Sequence, residues 1–157
     1  MAKFTVGKGL TEYIQKLDNL EYRADGIAGL AIYDGAKIVA DQIHANIAAL
    51  PTSGKSDRGR RNPTQEEKNG LLEGLGIAKL QRGSFINVKI GMDGYNNDKT
   101  KNWPNGKPNA MIARSVEAGN TFMQRNPFIS KAVSATRKAA EAAMAAKIDI
   151  ETEKTMK

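Results

Sequence analysis

The sequence RNPFISKAVSATRKAAEAAMAAKI, residues 125–148, carries the strongest helix signal in the chain. Asn126 and Pro127 fit the N-cap and the first helical position, where proline is favoured because its missing N–H needs no partner. Eight of the residues that follow, up to Ala146, are alanine, which combines high helix propensity with a side chain small enough for close helix packing. We therefore predict a C-terminal helix over residues 127–150, with a tail that frays towards residue 157.

A second helical pattern lies in the first third of the chain. Apolar residues recur every three or four positions from residue 24 to residue 50, and Pro51 ends the pattern. This spacing predicts a long central helix with one apolar stripe. Residues 10–17 predict a separate short amphipathic helix, because Asp18 and Asn19 offer a break or a new cap.

The clearest strand is Phe85–Ile90. Ile86, Val88 and Ile90 share one face, and the polar residues between them share the other, as in a half-buried strand. The preceding Gly83-Ser84 suits a hairpin with residues 77–81. Residues 111–116 fit a helix or a strand. Together these elements predict one α+β domain over residues 1–157, in which a small, mostly antiparallel sheet is packed by the long central helix and the long C-terminal helix.

Residues 52–69 contain no large apolar side chain. A segment that buries little cannot offset the entropy of ordering, so we predict a mobile basic loop. Four cations in it are candidate phosphate contacts: Lys55, Arg58, Arg60 and Arg61. The alternative is a loop whose charges are simply solvated.

The composition argues against an enzyme. Cysteine is absent and His44 is the single histidine, so neither a thiolate nor a histidine cluster can bind a metal. Glu66 and Glu67 are adjacent and would point in different directions on a helix. Residues 49–56, ALPTSGKS, fit a relaxed phosphate-binding loop but lack the strand before it and the helix after it. We predict no catalytic residue, no metal site and no cofactor.

The net charge indicates the class of partner. The 24 Lys and Arg exceed the 17 Asp and Glu, which gives +7 at pH 7. Such a surplus favours contact with nucleic acid or an acidic partner, and a solvated basic surface is the alternative. No apolar run approaches the roughly 20 residues of a membrane-spanning helix, so we predict no membrane contact.

Two adjacent segments resemble a known family. Residues 113–121 read ARSVEAGNT and residues 125–133 read RNPFISKAV. This block resembles the tail-component family of long-tailed double-stranded-DNA phages and prophages, also described as neck or tail-completion proteins. Many members carry a Thr-Gly-x-Leu-(Arg/Lys) step after the long helix, whereas here Thr52-Ser53-Gly54 is followed by a basic insert.

The resemblance implies a structural role without catalysis. It implies a ring homo-oligomer at the head–tail joint that contacts other neck and tail-tube proteins, and that is found in the virion and, during assembly, in the host cytoplasm. Non-specific contact with passing DNA is compatible with this role, and the alternative is a small basic nucleic-acid-binding protein. The candidate interface residues are Arg114, Glu117, Arg125, Asn126 and Phe128. Arg114 and Glu117 could pair within one subunit or across to a neighbour, or the block could simply form a corner of the core.

Overall fold

The computed structural model describes residues 8–55 and 58–157. In these ranges the chain forms four helices and one antiparallel pair of strands, which confirms the predicted α+β class. The elements in order are α1 (Lys8–Ala48), α2 (Gln65–Gly74), β1 (Leu75–Ile77), β2 (Ile90–Met92), α3 (Asn109–Ala118) and α4 (Phe128–Met156). No helix in this part of the chain is long and apolar enough to cross a membrane.

Helices α1 and α4 form a long antiparallel pair. At one end the Asn46 side-chain amide donates to the Phe128 carbonyl oxygen at 2.8 Å, and at the other Lys16 Nζ lies 3.3 Å from the Lys157 carbonyl oxygen. Gly35 permits the close approach between these ends, because a Cβ there would lie 2.8 Å from Cγ of Met144. Of the eight alanines in α4, Ala132 and Ala140 are buried, Ala143 is partly buried and the other five are exposed, so only some of them serve the predicted close packing.

The predicted break in the first helix is wrong. Helix α1 runs for 41 residues through Asp18 and Asn19, and both side chains are exposed. Their weaker helix propensity costs only a fraction of 1 kcal/mol each. The apolar stripe continues past them through Leu20, which is partly buried, so packing keeps the helix continuous.

The predicted hairpin is present, with its regular strands shifted. Strand β1 pairs antiparallel with β2 in the register Leu75↔Met92 and Ile77↔Ile90. Towards the hairpin tip, Gln81 and Asn87 exchange two backbone hydrogen bonds of 2.9 and 3.1 Å. Most of the strand predicted over residues 85–90 thus lies in this looser part of the hairpin.

The core lies where the last turns of α1 meet α2, α3 and the start of α4. Residues 111–116 belong to helix α3, although their sequence also fits a strand. The ten buried residues of the core cluster are Ile43, Ile47, Leu50, Leu71, Ile112, Ala113, Val116, Met123, Phe128 and Ala132.

The predicted 52–69 loop is shorter than expected. Residues 65–69 belong to α2, which Thr64 caps by accepting a hydrogen bond from the Glu67 amide. Lys68 Nζ donates to the carbonyl oxygens of Ala48 and Leu50 at 2.6 and 3.1 Å, a favourable position for a cation at the end of α1. Polar contacts order this half of the segment. The loop prediction rested on the absence of apolar residues, which gives no information about such contacts.

Candidate assembly surfaces and the buried ion network

Glu67 is a buried carboxylate at the centre of an ion network. Its side chain is only 2% exposed. Arg61 contacts it through both terminal nitrogens, at 2.7 and 2.8 Å, Lys107 Nζ lies at 3.2 Å, and the Thr64 amide donates at 2.9 Å. A buried charge needs this full set of partners to offset its loss of water.

The environment of Glu67 keeps it ionised. Burial by itself raises the pKa of the carboxyl group. The hydrogen bonds from Arg61 and the Thr64 amide, the charge of Arg61 and the hydrogen bond from Lys107 outweigh burial and lower the pKa to about 2. The same network raises the pKa of Arg61. The three side chains are therefore charged throughout the physiological range.

The network and the backbone of Arg61 join three segments, which are residues 61–67, the 93–108 connection and residues 122–124. Arg61 brings the chain before α2 to Glu67, and Lys107 brings the 93–108 connection, where Asp98 also contacts Lys107 at 3.0 Å. The backbone of Arg61 donates to the Phe122 carbonyl oxygen at 2.9 Å and accepts from the Gln124 amide at 2.8 Å. Arg61 is therefore a structural residue, and its role as a phosphate contact stays a prediction.

Of the other three predicted phosphate contacts, Lys55 pairs with Arg61 in an isolated antiparallel backbone bridge. Lys55 and Arg58 are exposed, and Arg60 is partly buried. Two exposed cations on one segment suit non-specific contact with a polyanion rather than recognition of a defined group. The mobility predicted for residues 52–60 stays a prediction.

Glu117 caps α4 from the preceding helix. Its carboxylate accepts hydrogen bonds from the backbone amides of Ile129 and Ser130 at 2.8 and 3.0 Å and from the Ser130 hydroxyl. Burial raises its pKa, but the hydrogen bonds from Ser130, Ile129 and Phe128 outweigh this and lower it. A carboxylate at a helix N-terminus satisfies unpaired amides and complements the helix dipole.

This cap corrects two predictions. Helix α4 begins at Phe128 with Pro127 in the capping position, so Asn126 is not the N-cap. Its side-chain amide instead makes 3.4 Å contacts with Asn62 and with the Gln124 carbonyl oxygen. Within the described ranges no ion pair joins Arg114 to Glu117, because the cap occupies the carboxylate.

The five predicted interface residues therefore divide into three groups. Phe128 is 3% exposed and belongs to the core, so it cannot contact a partner directly. Glu117 and Asn126 are partly buried and bond within the chain. Arg114 and Arg125 are exposed, and they remain as surface groups at the corner between α3 and α4.

Apolar side chains surround this corner, and the sequence did not single them out. Phe122 is 77% exposed, and Met111 and Trp103 are also exposed. These three line a pocket of about 180 Å³ that also touches Arg61 and Glu67. Aromatic residues, Met and Arg are enriched in protein–protein interfaces. The occurrence of Arg and aromatic residues between two helices is therefore the sequence signal that could have identified this surface.

The tip of α1 is a second apolar surface. Leu10, Tyr13, Ile14 and Leu17 are 52, 51, 46 and 42% exposed. The sequence predicts an amphipathic helix here, and its apolar side has no cover among the described residues.

The described residues contain no group of three or more His, Cys, Asp or Glu side chains positioned for a metal ion. Comparisons with protein-family models, with curated proteins and with solved structures find no significant match. The function must therefore be inferred from the chain's own residues and surfaces.

Proposed function

We propose that this chain is a structural protein of phage morphogenesis: a ring-forming neck or tail-completion component at the head–tail joint. It would assemble in the host cytoplasm and remain in the virion, in contact with further copies of itself and with other neck and tail-tube proteins. The role requires surfaces rather than a catalytic centre.

The observation that carries the proposal is that the family-like block is also the α3–α4 corner. Val116 and Phe128 anchor the corner in the core at 0 and 3% exposure, and Glu117 fixes the start of α4. Gly119 makes the reversal with a φ of +72°, a conformation that favours glycine. A corner held this rigidly can present Arg114 and Arg125 to a partner in a defined geometry.

The side chains around the corner add support. Phe122, Met111 and Trp103 expose apolar surface around a pocket whose charged lining residues are Arg61, Glu67 and Lys107. An exposed apolar patch with polar neighbours is typical of a protein–protein interface. The +7 charge suits a channel through which DNA passes, because cations contact phosphates without reading the bases.

A second candidate is a small basic nucleic-acid-binding protein. The observation that favours it is the exposure of Lys55 and Arg58 on one segment. Fluorescence anisotropy with a DNA duplex tests it, with Lys55→Ala/Arg58→Ala as the variant and Lys99→Ala/Lys101→Ala, another exposed pair, as the control. Salt-sensitive binding lost in the first variant alone would favour this candidate over the assembly role.

Electron microscopy of a lysate from a phage deleted for this gene tests the assembly role. We expect DNA-filled heads and separate tails, or tails of abnormal length, with intact virions restored by a plasmid copy of the wild-type gene. Phe122→Ser should restore fewer virions than Phe85→Ser, which changes an 82% exposed residue at the hairpin tip. Intact infectious virions without the gene would contradict the proposal.

A further inference from the structure

The connection before α3 contains an exposed Asn-Gly step. Residues 103–106 read WPNG, and the Gly106 amide donates to the Trp103 carbonyl oxygen at 3.0 Å, as in a β-turn with proline at its second position. Asn105 is exposed in this turn. Among the described residues its side chain has no hydrogen-bond partner, so it can rotate freely.

An Asn-Gly step of this kind is open to a spontaneous reaction with water. The backbone nitrogen of the glycine attacks Cγ of the asparagine, the side-chain amide leaves as ammonia, and a succinimide ring forms. Water then opens the ring at either carbonyl group and gives aspartate or isoaspartate, in which the main chain runs through the former side chain. Glycine allows the attack most readily because it has no side chain to hinder it.

A second Asn-Gly step, in α2, provides the comparison. Asn69 and Gly70 lie inside this helix, and Gly70 is buried. The Asn69 side-chain oxygen accepts a hydrogen bond from the Gln65 side-chain amide at 2.9 Å. Part of α2 would have to unfold before the ring could close, because the succinimide ring fixes ψ far from its helical value.

The turn at Asn105 is easier to open than α2. The bond between Gly106 and Trp103 must break before the Gly106 nitrogen reaches Cγ, but residues 101–105 are all exposed. By contrast, α2 supplies Leu71 to the core at 0% exposure. Opening an exposed turn costs less free energy than unfolding a helix that is packed into the core.

The residues directly after the turn have no room for a longer main chain. A Cβ on Gly106 would overlap the Asn96 carbonyl oxygen. The Asn96 amide donates to the Lys107 carbonyl oxygen at 3.0 Å, and the Lys107 amide donates to Oδ1 of Asn96 at 2.7 Å. These contacts hold Lys107 where its ammonium group reaches Glu67. Isoaspartate at position 105 would insert an additional carbon atom into the main chain immediately before this step.

We propose that Asn105 is the site at which the folded chain is spontaneously deamidated, and that isoaspartate at this position moves Lys107 away from Glu67. The shift removes one of two cations from a carboxylate that is 2% exposed. A buried charge that loses a partner destabilises the fold. A reaction at the surface therefore weakens the buried ion network.

Peptide mapping of purified protein after incubation in mildly alkaline buffer tests the site. Fragmentation of tryptic peptides 69–79 and 102–114 by mass spectrometry measures the converted fraction at Asn69 and at Asn105. In the folded chain we expect conversion at Asn105 to be faster by at least about tenfold, which corresponds to about 1.4 kcal/mol in the free energy of local opening. In urea, where both steps are unfolded, the two rates should be similar.

Urea denaturation of the modified protein tests the consequence. The deamidated fraction is isolated by ion exchange, and its isoaspartate content is measured with isoaspartyl methyltransferase. We expect its midpoint to lie below that of Asn105→Asp, which carries the same charge on an ordinary main chain and should match the wild type. A Lys107→Met chain, which lacks the contact with Glu67 from the start, should lose less on incubation. Asn105→Gln, which would need a larger ring, should keep its midpoint throughout.

Two results would overturn these assignments. Conversion in the folded chain that is no faster at Asn105 than at Asn69 would show that the turn does not open for the reaction. An isoaspartate fraction as stable as Asn105→Asp would show that Lys107 keeps its place beside Glu67. All of these measurements use purified protein, so their outcome is independent of the lysate experiment on the assembly role.

Discussion

At the scale of single residues, Glu67 links the segment around Arg61 and Thr64 to Lys107, which lies 40 positions away in the sequence. Its two carboxylate oxygens accept hydrogen bonds from Arg61, Lys107 and the Thr64 amide. Each of these donors would lose a charged partner if the carboxylate were neutral. The free energy of the network therefore depends on one ionised group.

Replacing Glu67 with Gln should lower the free energy of unfolding by about 3 kcal/mol, the usual cost of removing one member of a buried ion pair. The matched control is Glu66→Gln, the same change at the adjacent exposed residue, which should change stability by less than about 0.5 kcal/mol. Urea denaturation at neutral pH measures both. Equal midpoints for the two variants would contradict the role of the network.

The pH dependence of the free energy of unfolding should report the ionisation of Glu67. The pKa of Glu67 is about 2 in the folded chain against a reference of 4.5, so its ionised form stabilises the fold above the unfolded pKa. That contribution, about 3 kcal/mol for a shift of this size, should be lost as the pH falls from 4.5 towards 2. We expect the stability difference between wild type and Glu67→Gln to shrink over this window. A difference that stays constant would contradict the lowered pKa.

Glu117 acts at the same scale on the start of α4. Glu117→Ala should destabilise the chain by about 1–2 kcal/mol, the range for loss of an N-cap side chain, because the amides of Ile129 and Ser130 lose their acceptor. Arg114→Ala, an exposed change in the same helix, is the control and should stay within about 0.5 kcal/mol. Equal midpoints of thermal denaturation for the two variants would contradict the capping role of Glu117.

At the scale of elements, the segment before α2 divides into two parts. Residues 61–69 are anchored by the Arg61 ladder to residues 122–124 and by α2, whereas Lys55 and Arg58 are exposed. Limited trypsin digestion should therefore cut after Lys55 or Arg58 before it cuts after Arg61 or Lys68. Mass spectrometry of the first fragments identifies the order. A first cut after Lys68 would contradict the anchoring.

The elements also show what the sequence could predict. Local patterns predicted that α4 and a hairpin exist, because alanine content and period-two alternation act within a few residues. They misplaced the regular strands, which are residues 75–77 and 90–92. Asp18 and Asn19 misled the prediction, because their small propensity cost does not break a helix that pairs with α4 from about Lys16 to Asn46. The local pattern of residues 111–116 fits a helix or a strand, and packing against the core selects the helix.

The contacts at the candidate site were harder to predict than the elements. The sequence singled out Arg61 and Glu117 as charged residues but not their partners. Arg61 and Glu67 are six positions apart, a spacing that no helix or strand pattern pairs, and Glu117 caps a helix 12 positions away. An ion pair leaves no periodic signal. The corner block itself could be predicted, since Gly119 and Pro127 mark a reversal and a helix start.

At the scale of the whole molecule, the chain is a compact corner joined to a two-helix arm. The buried network and the Glu117 cap make the corner rigid, and Arg114, Arg125 and Phe122 are the groups it presents. The arm ends in the apolar α1 tip. Two separate surfaces on one small domain suit a protein whose role is to hold other subunits together.

Quantitative mass spectrometry of gradient-purified virions tests the assembly role most directly. If the chain is a ring component of the neck or tail, it should copurify with infectious particles at several copies per virion, in a fixed ratio to the tail-tube protein across the gradient. A chain that is abundant in the lysate but absent from purified virions would contradict this account.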